Sequence, residues 1–479
     1  MSSNIFETPI SLLNNLLEHL TSISQGRAVP IDYKLIDNAC LILKGETSLY
    51  QNSENRILDQ LVLAVLSIIR SNNTTSEAKD ASVQVLDSIL SHYEFDQILE
   101  HFGMKLFIQG LESEKERLQI LVIDILSRAD PADIIANTSV VLLLVQILND
   151  PESSIALVNE TEKCLSMLAS KGELVRRRII SDEVISNFRK IRTNPKVVPR
   201  LYDLVLELLP IVPNIPDDLY LVTTQEITSS NDILMDSLTV SFYHNLLVQI
   251  SKNISLRPIL DRLGEQISYI SRIFCDPTFK PEIGNSDYID AASFLCELSK
   301  LSLQKFVDAD SSYHIIEHAI SCYLTHRSCR YLLSNINPTT LESETIFLKN
   351  FKLEGITTSI YCNLIQDSKI LTEELQVNTA DIEKLSVSDF LKILLSLVHT
   401  KYGLHKLTRD WSPLITNLLD INDILDSDIW RKKLDVVGEL YDKRSQIGVW
   451  SQKIVEAYGL MRNGHPITSE ADVMDTTGP

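Results

Sequence analysis

Apolar residues recur one helical turn apart along almost the whole of this sequence. Ile10, Leu13, Leu17 and Leu20 form one stripe, and Ile57, Leu61, Val65 and Ile68 form another. Near the other end, Trp430, Leu434, Val437 and Tyr441 are followed by Trp450, Ile454, Ala457 and Met461. Such a period places one face of an α-helix against a neighbour. Sustained alternation of apolar and polar residues, the mark of a half-buried strand, is scarce. Between the stripes stand Pro131, Pro151, Pro195, Pro210, Pro213, Pro216, Pro277, Pro281, Pro338 and Pro413. Each lacks the amide N–H that a helix interior needs. The helices are therefore numerous and short, roughly 10 to 18 residues each.

Many short amphipathic helices in a long chain call for a repeat. Three segments align: GMKLFIQGLES from Gly103, VVLLLVQILND from Val140 and EVISNFRKIRT from Glu183. Ile108, Val145 and Phe188 correspond, as do Leu111, Leu148 and Ile191, at intervals of 37 and then 43 residues (108 to 145, 145 to 188). That period suits HEAT or armadillo units of about 40–47 residues. A short helix precedes each segment (FDQILEHF, ADIIANT, ELVRRRII), and an apolar helix follows it (RLQILVIDILSRA, ALVNETEKCLSMLAS, RLYDLVLELLPIV). The expected fold is an all-α, HEAT/armadillo-like α-solenoid. It would run as one continuous array over residues 1–462, with a softer junction near 210–230 and a disordered acidic tail over 463–479.

Charge narrows the function. The 479 residues carry 64 acidic and 44 basic side chains, a net charge of −20. A field of that sign repels phosphates, so direct nucleic-acid binding is not expected. The most apolar run, SVVLLLVQIL, falls far short of the ~20 residues that span a bilayer. The opening MSSNIFETPISLLNNLL lacks a charged stretch followed by an apolar one, so a signal peptide is not expected. The seven cysteines show no CxxC spacing, which suits a reducing compartment. The expectation is a cytoplasmic protein, with a nuclear pool also compatible, that attracts basic partners.

One stretch runs against this balance. Residues 171–200 hold nine basic and three acidic side chains, a local +6 that leaves −26 for the rest. At its centre stand Arg176, Arg177 and Arg178, the candidate partner-binding residues. Three readings stay open: a solvated ridge paired with acidic neighbours, a docking site for carboxylates, and a nucleic-acid contact. No series of stacking aromatics accompanies the cations, which counts against the last. Within ELVRRRII, Leu174, Val175, Ile179 and Ile180 are expected to pack inward.

The stretch YHIIEHAISCYLTH contains H-x-x-E-H at His314, Glu317 and His318, the inverzincin spacing. Two histidines one turn apart can hold Zn²⁺, but a catalytic site needs a third protein ligand and an open position. The apolar stripe of this helix is Ile315, Ile316, Ala319, Ile320 and Tyr323, which leaves the histidines as surface residues. No P-loop, dinucleotide fingerprint, nucleophile elbow or kinase set occurs. The expectation is a binding protein without cofactor or metal rather than an enzyme. The acidic stretch from Asp367 to Phe390 reads as a solvated face.

Three segments carry a family resemblance: FDQILEHF, ALVNETEKCLSMLASKGELVRRRII and RSQIGVWSQKIVEAYGLMRNG. They resemble the fungal HEAT-repeat chaperones that assemble the base of the proteasome regulatory particle, a family also described as DNA mismatch-repair proteins. Its animal counterpart is non-ATPase subunit five of the particle. The likeness covers about a third of the chain, near 95–200 and 430–465. It implies a C-shaped, right-handed superhelix of about eleven repeats. It also implies a monomer that grips the C-terminal helical domain of one ATPase subunit alongside neighbouring base subunits. Such a grip would hinder premature docking onto the core particle and end when the complex matures. A nuclear adaptor in mismatch repair or transport is the alternative, and a zinc hydrolase using HIIEH a distant third.

Overall fold

The computed structural model of the chain describes residues 9–27, 29–51, 56–223, 225–226, 232–276, 278–279, 289–421 and 426–463. The tail expected over 463–479 lies outside the described residues from 464 onward. Among the described residues the regular elements are helices and no strand occurs, so the fold is the all-α solenoid that the periodicity predicts. No helix among them is long and apolar enough to cross a membrane. The chain forms two compact units, one ending at Leu221 and the other beginning at Val222.

The first unit contains α1 (Pro9–Ser24), α2 (Tyr33–Gly45), α3 (Ser48–Gln51), α4 (Ile57–Arg70), α5 (Ser76–Leu90) and α6 (Phe95–Leu111). It continues with α7 (Glu116–Ser127), α8 (Val140–Asn149), α9 (Ile155–Lys171), α10 (Glu173–Ile179), α11 (Asp182–Arg192) and α12 (Val198–Leu208). The helices stack in two layers. α1, α4, α6, α8 and α11 each pack on the second-layer helix that follows, respectively α2, α5, α7, α9 and α12. The second layer is continuous, α2 on α5 on α7 on α9 on α12. Its helices are enclosed by neighbours: α5 buries Ala81, Ser82, Val85 and Leu86, and α9 buries Thr161, Cys164, Leu165 and Leu168. Helix starts are set by side-chain caps, as where Thr75 accepts from the Ala78 amide and Ser154 from the Leu157 amide.

The second unit contains α13 (Ile233–Lys252), α14 (Arg257–Leu260), α15 (Gly264–Cys275), α16 (Ile289–Leu301), α17 (Leu303–Tyr313) and α18 (Ile315–Cys322). After them come α19 (Arg327–Asn335), α20 (Thr345–Lys349), α21 (Thr358–Leu364), α22 (Thr379–Glu383) and α23 (Val387–His399). The last are α24 (Lys401–Arg409), α25 (Ser412–Asp420), α26 (Ser427–Asp442) and α27 (Ser451–Asn463). Here too one series runs through the unit, α13 on α16 on α19 on α21 on α23 on α26.

The final carbonyls of a helix have no partner within it. In this protein the end of the next helix of the series, or the residue or two just beyond it, supplies one at several of these ends. In the first unit a ring nitrogen of His92 lies 3.1 Å from the Lys44 carbonyl oxygen, Arg128 Nη1 donates to Leu90 O at 3.4 Å, and Lys171 Nζ donates to Ser127 O at 3.0 Å. In the second unit Asn337 reaches Ser299 O, Asn363 donates to Leu333 O and Ile336 O at 3.0 and 2.8 Å, and Lys443 Nζ donates to Val398 O at 2.7 Å. Most of these donors stand one repeat length from their acceptors. Cations suit this place because the helix dipole leaves negative potential at its C-terminus.

Several local expectations change. FDQILEHF and GMKLFIQGLES join in one helix, α6, broken at Gly103 (φ 70°, ψ 152°). ADIIANT holds only a 3₁₀ turn, Ala132–Ile134. The stripe expected in α26 shifts: Trp430 is exposed, and Lys433, Val436, Val437 and Leu440 are buried. The acidic stretch 367–390 is not simply a solvated face, because Ile370, Leu371, Ile382 and Phe390 are core residues.

Candidate partner-binding site

The three arginines divide because successive helix positions turn by about 100°. Their helix, α10, starts at Gly172, where Asp133 accepts from the amides of Leu174 (2.8 Å) and Val175 (3.4 Å). A Cβ at Gly172 would come within 2.5 Å of that carboxylate, so a larger residue there would displace the Asp133 cap. Val175 and Ile179 are buried as expected, whereas Leu174 is exposed and Ile180 only half-buried. Arg176 folds back and donates from Nη1 to Ala169 O at 2.7 Å and Ser170 O at 3.4 Å, closing the end of α9. Arg330 makes the same seven- and six-residue return to Tyr323 O and Leu324 O, both at 3.0 Å. Arg177 is exposed and pairs with Glu173 on its own helix. Arg178 is half-buried and pairs with Glu183 of α11 at 2.8 Å.

The rest of the basic stretch is also largely engaged within the unit. Arg189 pairs with Asp218 at 2.7 Å, and the Arg192 guanidinium sits over the Tyr202 ring at 5.9 Å. Arg200 donates to Leu148 O, Asp150 O and Ser153 O, tying α12 to the α8–α9 turn. Of the three named arginines, Arg177 alone keeps most of its side chain in solvent without holding another helix.

A different feature was missed in the sequence. One flank of the second layer carries Asp37 on α2, Asp87 on α5, Asp124 on α7, Glu160 and Glu162 on α9, and Asp203 and Glu207 on α12, of which Asp37, Asp203 and Glu207 are exposed and the others half-buried. These charges sense one another from helix to helix. Lys44 bonds Asp87 at 2.8 Å, and its pKa is raised by that bond first and also by Asp124. The Cys164 thiol is pushed up by burial and then by Asp124 and Glu160. Glu162 is pushed up to about 8, first by burial and then by Asp203 and Glu207, with Arg200 opposing. Asp203 keeps contact with solvent, yet it is raised by the protein packed around it and by Glu207. Glu162 Oε1 is shielded from solvent and has no hydrogen-bond partner in the protein. Acidic residues recurring at the repeat interval were the available signal.

The histidine motif does not form one surface. His314 lies at the joint between α17 and α18 in the left-handed region (φ 55°), exposed and 3.6 Å from Glu317. His318 is half-buried, not a plain surface residue, and packs edge-on against Phe274 with ring centres 5.5 Å apart. Burial holds its pKa below the usual imidazole value. Among the described residues no group of three or more His, Cys, Asp or Glu side chains gathers at metal-binding spacing.

The two units find a counterpart in known families. Residues 14–248 match the model described as DNA mismatch repair protein HSM3, N terminal domain, and residues 257–478 match its C terminal domain. Relatives called DNA mismatch repair protein HSM3 resemble the chain nearly end to end. The Candida albicans protein is 22% identical over 95% of this chain and 97% of its own length. That of Candida glabrata is 26% identical over 88% and 89%. That of Saccharomyces cerevisiae is 22% identical over 83% and 84%. The N-terminal family model runs past Leu221 to include most of α13, a helix that packs on α16 in the second unit. With both halves matched in order, and with the resemblance already present in GELVRRRII and its neighbours, the chain belongs to the HSM3 family.

Proposed function

We propose that this protein is an assembly chaperone for the base of the proteasome regulatory particle, and that it works by binding, without catalysis. The acidic flank of the first unit would hold the C-terminal helical domain of an ATPase subunit, next to neighbouring base subunits. The observation that carries this reading is the row from Asp37 to Glu207, with Glu162 held near pKa 8 where α9 meets α12. A shielded carboxyl group beside two carboxylates of the next helix is a receptor for a cation. A partner lysine or arginine placed there ionises Glu162, releases a proton and turns like-charge repulsion into an ion pair. The net charge of −20 steers a basic domain toward the row from a distance. A stable grip buries at least ~1,200 Å² in total. While held, the ATPase would be hindered from docking onto the core particle. The chaperone itself is a monomer before binding and leaves once the complex matures.

The test is affinity purification followed by mass spectrometry. Recovery of regulatory-particle ATPases without core particle is expected. The double variant Asp203→Lys, Glu207→Lys should lose them while keeping its helical circular dichroism. A second reading, an adaptor in DNA mismatch repair, is favoured by the names of the relatives. Recovery of mismatch-repair factors in place of ATPases would replace the first reading with it.

A further inference from the structure

The first layer of the first unit has a gap. α1 packs on α4, α6 packs on α8 and α8 packs on α11, but α4 and α6 stand apart. Between them lies a cleft of about 400 Å³ with α5 as its floor. Its walls are mainly apolar, with Val62, Leu63 and Leu66 from α4 and Phe102 and Leu106 from α6 above Leu90, while Gln97 and His101 of α6 and Tyr93 add polar groups at the rim. Leu63 is 68% exposed, so the opening presents a large aliphatic side chain to solvent. The two ends of the cleft differ in charge. Asp59 lies in the first turn of α4 and Arg70 in its last, about 16 Å apart along the axis. Both are exposed, and among the described residues neither side chain makes an ion pair or a hydrogen bond, though Tyr93 in the cleft feels the Asp59 charge.

We propose that this cleft is a docking groove for an amphipathic helix of a partner protein. That helix carries an apolar stripe with a basic residue at one end and an acidic residue at the other. Its length of three turns matches the span from Asp59 to Arg70. An apolar trough takes anchors at i, i+3 or i+4 and i+7, the way grooves between helices receive helical peptides. The unused charges fix direction: the partner's cation goes to Asp59 and its anion to Arg70. A ligand of one sign satisfies one end and meets repulsion at the other. The groove lies in the first layer, whereas the acidic row belongs to the second, so it adds a contact and does not depend on the function proposed above.

The test uses the full chain and three synthetic helical peptides of 16 residues with leucine at i, i+4, i+7 and i+11. Their ends carry Lys and Glu, two Glu, or two Lys, and binding is read by fluorescence anisotropy. The mixed-end peptide should bind about fivefold more tightly than either like-ended one. Arg70→Glu should weaken it by a similar factor. Adding Asp59→Lys should restore it, with the peptide reversed. Leu63→Arg, at an exposed position, should abolish binding without altering circular dichroism. Equal binding of all three peptides, indifference to Leu63→Arg, or no binding at 100 µM would overturn the proposal. So would a dimer that Leu63→Arg dissociates, or a gain in peptide affinity on deleting residues 1–8, because each would give the groove to this chain itself.

Discussion

Lys171 Nζ lies 3.0 Å from the carbonyl oxygen of Ser127, a residue 44 positions earlier at the end of the preceding second-layer helix. The bond couples the ends of α7 and α9. Replacing Lys171 with Met keeps the aliphatic stem and removes the donor. The expected loss is about 1 kcal/mol in urea unfolding, since the carbonyl is left with water alone. Hydrogen exchange should quicken at the end of α7, and Lys171→Arg should recover most of the loss.

The arginines should separate in the same measurement. Arg176→Met opens the end of α9 and should cost about 1–2 kcal/mol. Arg177→Met breaks only an exposed pair within one turn and should stay within about 0.5 kcal/mol of wild type. An Arg177 variant that melts well below the Arg176 variant would reverse this assignment.

Glu162 predicts a pH dependence. Its carboxyl group stays protonated in the folded protein up to about pH 8, whereas in the unfolded chain it ionises near 4.5. Between those values the folded state holds the extra proton, so this group lowers stability as pH rises. Below pH 4.5 it contributes no difference, and above 8 its penalty is complete. Glu162→Gln should therefore raise the melting temperature at pH 8, by about 2 °C, and leave it unchanged at pH 4. An equal shift at both pH values would show that packing, not ionisation, is responsible.

Gly103 gives a purely conformational prediction. Its φ of 70° lies in the left-handed region, yet a Cβ there would meet nothing within 4 Å. Gly103→Ala should cost about 1–2 kcal/mol from backbone strain alone. A larger loss would mean that the break in α6 carries tertiary contacts.

Helix content, the repeat interval and the inward residues of α4 were legible because burial and turn geometry impose a local period. Ile57, Leu61, Val65 and Ile68 are all buried, as their spacing requires. The stripe in α26 slipped because Lys433 is buried, with Nζ 2.6 Å from Ile421 O, and a charged residue does not register as core in a periodicity count. The arginine cluster stood out in the sequence by its sign. Its three members nonetheless have different jobs, since what each does depends on a carbonyl or carboxylate that rotation about the helix brings near it. The acidic row escaped notice for the opposite reason. Its members are ordinary acids in an acidic chain, and only the stacking of α7, α9 and α12 sets Glu162 against Asp203 and Glu207.

The return of Arg176 to Ala169 also sets an order for synthesis. Chains emerge from the ribosome N-terminus first, at about 5–20 residues per second. The end of α7 must wait 44 residues for Lys171, but the end of α9 waits only seven for Arg176. A nascent chain that has exposed α10 can thus satisfy the terminal carbonyls of α9 before α11 and α12 exist. The arginine behaves as a punctuation mark, closing the last turn of α9 while the ribosome is still at work.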